Sequence, residues 1–481
     1  MAFTTEAPAT TQGFLIDGRW VHEGEPLEIR SPYNGAGVGQ VYRAGKQHAE
    51  AAVAAAVKAF GTTKRLPAFE RQRVLRRVAQ RIGERKGEFA RIMALEAGKP
   101  LKAARIEVER AIFTFNVAAE ESTRIGGEYL PLDWQEFTAG RWAIVRRFPL
   151  GPIAGITPFN FPLNLVAHKL APAIAAGCPM VLKPAPQTPF TAFMLAEAVQ
   201  EAGWPDGGLN VLPLSNEDAG VLVADERLKL ISFTGSAPVG WAIKAAAGKK
   251  KVVLELGGNA GVIVHHDADL AYAAERCVSG GFVYAGQTCI SVQRILVERQ
   301  VYPRFAELLL AGVKKLKMGD PLDEHTDVGP LIRKSDALRA VAWIEEALRG
   351  GARLLHGGKR EGSMLEPTVL TSTKPDMKVN CSEVFAPVVT VEPYDDFADA
   401  IRQINNSAFG LQAGIFTRDA KLMFQAYEEL EVGGVMAGDV PTFRIDHMPY
   451  GGVKDSGFGR EGLRYAIEEM TEPKLLVMNL R

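Results

Sequence analysis

Four residues, each in a loop or at the end of a short apolar run, have the types needed for nucleophilic, acid–base or ligand-binding chemistry. Cys289 sits in GQTCIS, directly after a helical pattern over 271–284. A thiol is only a few per cent thiolate near neutrality, so a nucleophilic role needs a base, a cation or a helix terminus nearby; the alternative is an inert core cysteine. Glu255 interrupts the apolar run VVLEL just before two glycines. A carboxyl in apolar surroundings has a raised pKa and can serve as a general base, or it is half of a structural ion pair. Asn160, in TPFNFP, lies in a loop fixed by two prolines that donate no hydrogen bonds. Its amide could hold an oxyanion or simply turn the chain. Lys183 ends the strand-like MVLK before Pro184 and Pro186, and Gly235 and Ser236 follow LISFT. The carboxyl ends of parallel strands and the starts of helices are natural ligand and phosphate positions, although Ser236 could be only an N-cap. Cys178 and Cys277 read as packing, while Cys381 stays ambiguous.

These residues must be held by an alternation of short apolar strands and helices. From 142 onward the runs AIV, PIAGI, MVLK, LNVL, LISF, VVLEL and VIV are separated by helical patterns over 163–176, 190–202, 216–224 and 238–247. That alternation predicts βαβ units and parallel sheets buried on both faces. A second α/β stretch spans about 260–435. Before it, after an irregular start, apolar periodicity predicts helices over 48–60, 69–97 (one or a pair) and 101–122. Residues 126–146 and the tail after Lys474 read as edge strands that need covering, with no nearby hairpin partner for the tail. Gly457, Gly459 and Gly462 match GxGxxG, but a turn-rich stretch precedes them and the chain ends at Arg481. A dinucleotide fingerprint needs a strand before it and an acid about twenty residues on, so any nucleotide is expected elsewhere.

Composition narrows the class. The 481 residues suit two or three domains. Fifty-six basic and fifty-six acidic residues give a formal charge of zero, which argues against nucleic-acid or membrane-surface binding. Four scattered cysteines without CxxC predict no zinc or redox motif and suit the cytoplasm; no metal is expected. The first twelve residues lack a basic start and an apolar core, so no signal peptide is expected.

In this order the motifs resemble the aldehyde dehydrogenase superfamily over nearly the whole chain: TPFNFP, VLKPAPQTP, FTGS, LELGG, GQTCIS, EVFAP and PYGGVKDSGFGREG. The resemblance implies two doubly wound α/β domains plus a small β oligomerisation extension. Residues 1–124 and 147–255 would bind the cofactor and 256–435 would carry the nucleophile. Residues 125–146 and 468–481 would form the extension of a homodimer or homotetramer, and 436–467 would return to complete the site. It also implies NAD or NADP as cofactor and an aldehyde as substrate. Cys289 would form a thiohemiacetal and then a thioester, Asn160 and the Cys289 N–H would hold the oxyanion, Glu255 would activate water, and Glu461 would relay protons. Cofactor contacts are implied for Thr157, Pro158, Phe159, Lys183, Ala185, Pro186, Gly235, Ser236, Leu256, Gly257, Glu383 and Phe385. Pro186 stands where many NAD-preferring members have a glutamate, which leaves NAD versus NADP open.

The resemblance further implies substrate contacts from Arg110, Phe161, His168, Thr288, Ile290, Arg444 and Tyr450. Arginines at 110 and 444 resemble the subgroup that oxidises anionic aldehydes, including non-phosphorylating glyceraldehyde-3-phosphate and phosphonoacetaldehyde dehydrogenases. A two-arginine clamp on an anion is physically sensible. The alternatives are ion pairs of Arg110 with Glu107 and of Arg444 with Asp446 or Asp439, leaving a neutral lactaldehyde-like substrate. Thr288 replaces a third arginine found in some phosphate-binding members, and Arg294 matches a structural position. A coenzyme-A-acylating or non-catalytic relative is the more distant alternative, disfavoured by the presence of both Glu255 and Cys289.

Overall fold

The computed structural model describes residues 11–479; the first ten residues, where most of the leader reading falls, and the last two, which end the expected extension, lie outside the described residues. Two parallel-cored sheets dominate. The first has eight strands, in the order Arg19–Val21, Phe14–Ile16, Leu209–Val211, Met180–Lys183, Ile153–Ile156, Leu230–Thr234, Lys251–Glu255 and Gly457–Phe458. Its five central strands are parallel and the outer ones antiparallel. The second has seven: Arg353–His356, Thr368–Thr371, Val388–Tyr394, Arg294–Glu298, Gly261–Val264, Gln412–Phe416 and Gly434–Ala437. Helices cover both faces of each, so the strands are apolar without alternation. Each sheet carries its own apolar core. Among the described residues no helix is long and apolar enough to cross a membrane.

The helices follow the periodicity. Ala68–Glu84 buries Val74, Leu75, Val78 and Ile82, one stripe at 3.6-residue spacing, and leaves Arg73, Arg76, Arg77 and Arg81 exposed, while Arg71 turns in to the Ala175 carbonyl. The 69–97 pattern resolves into this helix and Lys86–Ala97, which stops at Gly98 in the left-handed conformation (φ 65°). The irregular start is corrected: strands Phe14–Ile16 and Arg19–Val21 form a hairpin, and Glu25–Arg30 and Gly37–Arg43 form another. The first hairpin turns on Asp17-Gly18, both at positive φ (47° and 78°), the two-residue Asp-Gly turn that suits the strand twist. The tail strand, Thr471–Asn479, pairs with Arg141–Pro149, which in turn pairs with Gly127–Pro131. Leu475, Leu476 and Val477 stay exposed on that three-stranded sheet.

The two large sheets meet with opposite polarity. Thr157, Lys183, Thr234 and Glu255 sit at or just past the carboxyl ends of first-sheet strands, whereas Gly257, Cys289 and Glu383 precede the amino ends of second-sheet strands. The glycine motif is part of this join: Gly457 pairs with Glu255 and Phe458 with Leu254. It is a strand and turn, not a phosphate cradle.

Candidate active site

Cys289 is presented by a strained loop. Tyr284, Ala285 and Gly286 all have positive φ (50°, 53° and 68°), and the first two are not glycines. Such conformations persist only where packing over-determines them. Gly258 permits the approach of this loop to the first sheet, because a Cβ there would lie 2.6 Å from the Cys289 carbonyl oxygen. The Cys289 Sγ is 3.0 Å from the Tyr450 hydroxyl, and Ile290 packs with Leu411 and Tyr450 behind it. Burial pushes the thiol up to about 11.

Asn160 donates from Nδ2 to the Gln287 carbonyl at 3.0 Å. An amide nitrogen carries two protons, so one remains for a ligand. The TPFNFP loop is anchored by Glu107, whose Oε1 accepts from the Leu163 and Asn164 N–H groups at 2.9 and 3.0 Å. Glu107 also pairs with buried Lys99, which stacks 3.8 Å over the Phe161 ring. Glu255 is buried, and neither carboxyl oxygen has a partner among the described residues. Burial pushes its pKa well up, helped by the Glu461 charge. Glu461 behaves oppositely. Burial alone would raise it, but Lys169 and Arg444 hold it down at about 2. Its oxygens accept from Lys169 Nζ and Arg444 Nη2, each at 3.1 Å.

The wall beyond Tyr450 is charged. Arg444 lies 3.6 Å over the Tyr450 ring, and its buried Nε–H has no acceptor among the described residues. It pairs with Glu461, not with Asp446 or Asp439; Asp439 takes Arg276 instead. Arg110 does not pair with Glu107. It forms a two-point pair with Asp446, at 2.6 and 3.2 Å, across 336 residues of chain. Asp446 also accepts from Asn164 Nδ2 at 3.1 Å and meets His168 Nε2 at 2.8 Å. Burial and the nearby Arg444 push His168 down. Burial would raise Asp446, yet His168 and Arg110 hold it far below the usual range. Thr288 is buried with its hydroxyl unpartnered. Arg294 is structural, bonded to the carbonyls of Asn259, Gln403 and Ile404.

The remaining predicted positions lie at the carboxyl ends of first-sheet strands or ahead of the amino ends of second-sheet strands. Lys183 is buried and forms no ion pair among the described residues; burial lowers it to about 8. Ser236 is exposed and its side chain does not cap the following helix. Pro186 is exposed, and Ala185 and Leu256 are buried. Glu383 accepts from the Gly258 N–H at 3.1 Å, and a Cβ at Gly257 would collide with its carboxyl. Burial pushes Glu383 up to about 7. Phe385, at positive φ, meets Phe159 edge-on at 6.0 Å, and Thr157 and Pro158 complete the loop below it. An uncompensated ammonium and free hydroxyl and carboxyl groups fit the ribose and phosphate of a dinucleotide.

Sequence reasoning missed Lys169, Asn164 and the hub role of Asp446. Lys169 had a signal: it is the first charge after a nineteen-residue uncharged run, on a helix (Asn164–Ala176) buried at every position. Asp446 lies in an irregular segment without periodicity, and nothing local marks it.

The aldehyde dehydrogenase family model matches residues 20–476. A 3-sulfolactaldehyde dehydrogenase of Priestia aryabhattai is 45% identical, covering 97% of this chain and 98% of that protein. Among solved structures, aldehyde dehydrogenase 21 from Physcomitrella patens, in complex with the reaction product succinate, is 45% identical. It superposes with a TM-score of 0.96 over 98% of this chain and 99% of that one. The glyceraldehyde-3-phosphate dehydrogenase of Methanocaldococcus jannaschii, complexed with NADP, is 40% identical with a TM-score of 0.92, over 95% and 100% of the two chains. The chain belongs to the aldehyde dehydrogenase family, and is an oxidoreductase acting on aldehyde groups.

Proposed function

We propose that this enzyme oxidises a small anionic aldehyde, bearing a carboxylate, sulfonate or phosphate, to its acid with NAD or NADP. The carrying observation is Arg444: a buried guanidinium beside the Cys289–Tyr450 pair whose Nε–H lacks an acceptor among the described residues. The wall holds three cations, Arg110, Lys169 and Arg444, against two ionised carboxylates, Asp446 and Glu461. Burial raises the Glu255 pKa and lowers that of His168, which disfavours charge on both, so cations outnumber carboxylates on this wall. Relatives named for 3-sulfolactaldehyde and glyceraldehyde-3-phosphate, and one holding succinate, agree with that charge. The two-arginine clamp of the sequence reading narrows to one arm, because Arg110 is occupied by Asp446 and acts through the wall.

In the reaction, the Cys289 thiol passes its proton through water to the ionised Glu255 carboxylate, which releases it to solvent, and Sγ attacks the aldehyde carbon. The oxyanion accepts from the second Nδ2 proton of Asn160 and from the Cys289 backbone N–H. Each such donor contributes about 10²–10³ in rate. Bound NAD(P)⁺ supplies the hydride acceptor and a positive charge. Lys183, Ser236 and Glu383 would hold its ribose and phosphate groups, and the absence of an acid at Pro186 leaves room for a 2′-phosphate. The resulting thioester on Cys289 is hydrolysed by water that Glu255, once ionised, deprotonates. Glu461, fixed as a carboxylate, keeps Arg444 and Lys169 in place. The exposed apolar face at 475–477 supports a homodimer or homotetramer, which light scattering checks directly.

The test is product identity and specificity. Incubation with succinic semialdehyde and either cofactor is expected to yield the free acid whether or not coenzyme A is present. An acyl-coenzyme A product, or equal efficiency with neutral aldehydes of the same length, would overturn the reading.

A further inference from the structure

The second sheet has an unused end. Its amino ends face the catalytic cleft, yet in open α/β sheets the carboxyl ends, where successive connections leave on opposite faces, form the usual ligand crevice. That divergence occurs here. Strands Gly261–Val264 and Arg294–Glu298 lead into helices Leu270–Phe282 and Tyr302–Val313, packed in one apolar cluster. Strands Val388–Tyr394 and Gln412–Phe416 lead into Phe397–Asn405 and Ala420–Glu429, packed in another on the opposite face. His265, His266 and Glu298 meet at the carboxyl ends of the two central strands that this divergence flanks, beside Tyr394 at the end of the next strand.

Glu298 Oε2 lies 2.7 Å from His265 Nδ1 and 2.8 Å from His266 Nδ1. Consecutive residues can present both rings to one oxygen because the strand ends at Val264 and its alternation is released. Phe397 meets the His265 ring edge-on at 5.9 Å, and the Tyr394 hydroxyl lies 3.0 Å from the same Nδ1 that faces Glu298, a contact that a bound ion would displace. Glu298 Oε2 also accepts from the His266 N–H at 2.9 Å, and its Oε1 accepts from Gln300 at 2.8 Å, so the carboxylate is oriented. Asp267 adds a second carboxylate beside the imidazoles. Its Oδ2 is held by Thr417 and the Arg418 N–H, while its shielded Oδ1 has no partner.

We propose that His265 Nδ1, His266 Nδ1 and Glu298 Oε2 bind a divalent transition ion of the zinc class. Two imidazoles and one carboxylate suit an ion of borderline softness, with water at the fourth position. Tetrahedral ligands about 2.0–2.1 Å from zinc lie ~3.3 Å from one another, so the side chains need to open by about half an ångström. Both Nε2 atoms remain free for outward hydrogen bonds, and Asp267 supplies charge next to the ligands. The ion would tie the ends of two adjacent strands, at the opposite end of the sheet from Cys289. Its binding is therefore separable from aldehyde oxidation.

The experiment is calorimetric titration of zinc chloride into the EDTA-dialysed full-length chain carrying Cys289→Ser, which removes the competing catalytic thiol. One ion per chain is expected. His266→Ala and Glu298→Gln are each expected to weaken binding about tenfold or more, while Cys381→Ser leaves it unchanged. The His266 side chain is half exposed, so its removal is compatible with folding; an unchanged oxidation rate for His266→Ala in the Cys289-intact enzyme checks this. Zinc binding with the same stoichiometry and affinity in His266→Ala, or no stoichiometric binding in the parent, would show a hydrogen-bonded surface cluster and overturn the assignment.

Discussion

The two ends of the catalytic cleft use buried polar groups in opposite ways. At the reacting end, Glu255 and Cys289 are held in neutral form, and Glu255 and Asn160 carry polar atoms without partners. At the anchoring end, Arg444, Glu461, Lys169, Asp446 and Arg110 are locked in ion pairs. Glu255 and Glu461 make the contrast sharp. They are 3% and 2% exposed, yet one pKa is raised and the other sits near 2. Burial is common to both, so the neighbours decide: Glu461 has two cations in contact, and Glu255 has none and feels the charge of Glu461. Environments that push two carboxyls apart assign them different work, one to exchange protons and the other to hold charge.

The contrast can be broken most severely at the nucleophile. Cys289→Ala is expected to lower kcat by about 10⁴-fold or more, with cofactor affinity measured by fluorescence titration little changed. Glu255→Gln is expected to cost about 10²–10⁴ in kcat, with thioester accumulating in a rapid-quench assay. It also makes a stability prediction. The unfolded chain ionises this carboxyl above the usual value of 4.5, whereas the folded chain must keep it protonated. Folding is therefore penalised by about 1.4 kcal/mol per pH unit above that value, until the folded pKa is reached. The variant should melt higher than the parent, by a margin that widens as pH rises above the ordinary carboxyl value. In the parent, kcat/KM should climb as pH rises and Glu255 ionises, and the glutamine variant should lack that limb. Asn160→Ala is expected to cost about 10²–10³ in kcat without loss of reactivity of Cys289 towards iodoacetamide.

Much of this was legible before any coordinates. The alternation of apolar strands and helices located both sheets because parallel strands buried on two faces leave an unmistakable texture. Glu255 stood out as a lone charge in an apolar strand, and Lys183 and Ser236 as polar residues at strand ends. The N-terminal hairpins were not recognised although Asp17-Gly18 signals one, because three-residue strands carry too little alternation to register. The pairing of Arg110 with Asp446 was illegible for a different reason. Local rules offered Glu107 three residues away, but Glu107 faces inward to Lys99 and the loop at 163–164, and the true partner arrives from a distant segment without periodicity. The glycine motif misleads by pattern and is informative by geometry: its glycines let the chain lie against Glu255 and deliver Glu461 beside it.

The central claim is that Arg444 anchors an anionic substrate. The most direct test is the ratio of kcat/KM for succinic semialdehyde to that for butanal, in the parent, in Arg444→Met and in Arg110→Met. Charge-assisted hydrogen bonds of about 1.5–3 kcal/mol each predict a parental ratio on the order of 10² or more. That ratio should fall close to one in Arg444→Met, with butanal oxidation retained, and fall less steeply in Arg110→Met, which keeps the Arg444 contact but leaves the buried Asp446 carboxylate without its guanidinium partner. A parental ratio near one, or a large ratio unmoved by Arg444→Met, would contradict the account.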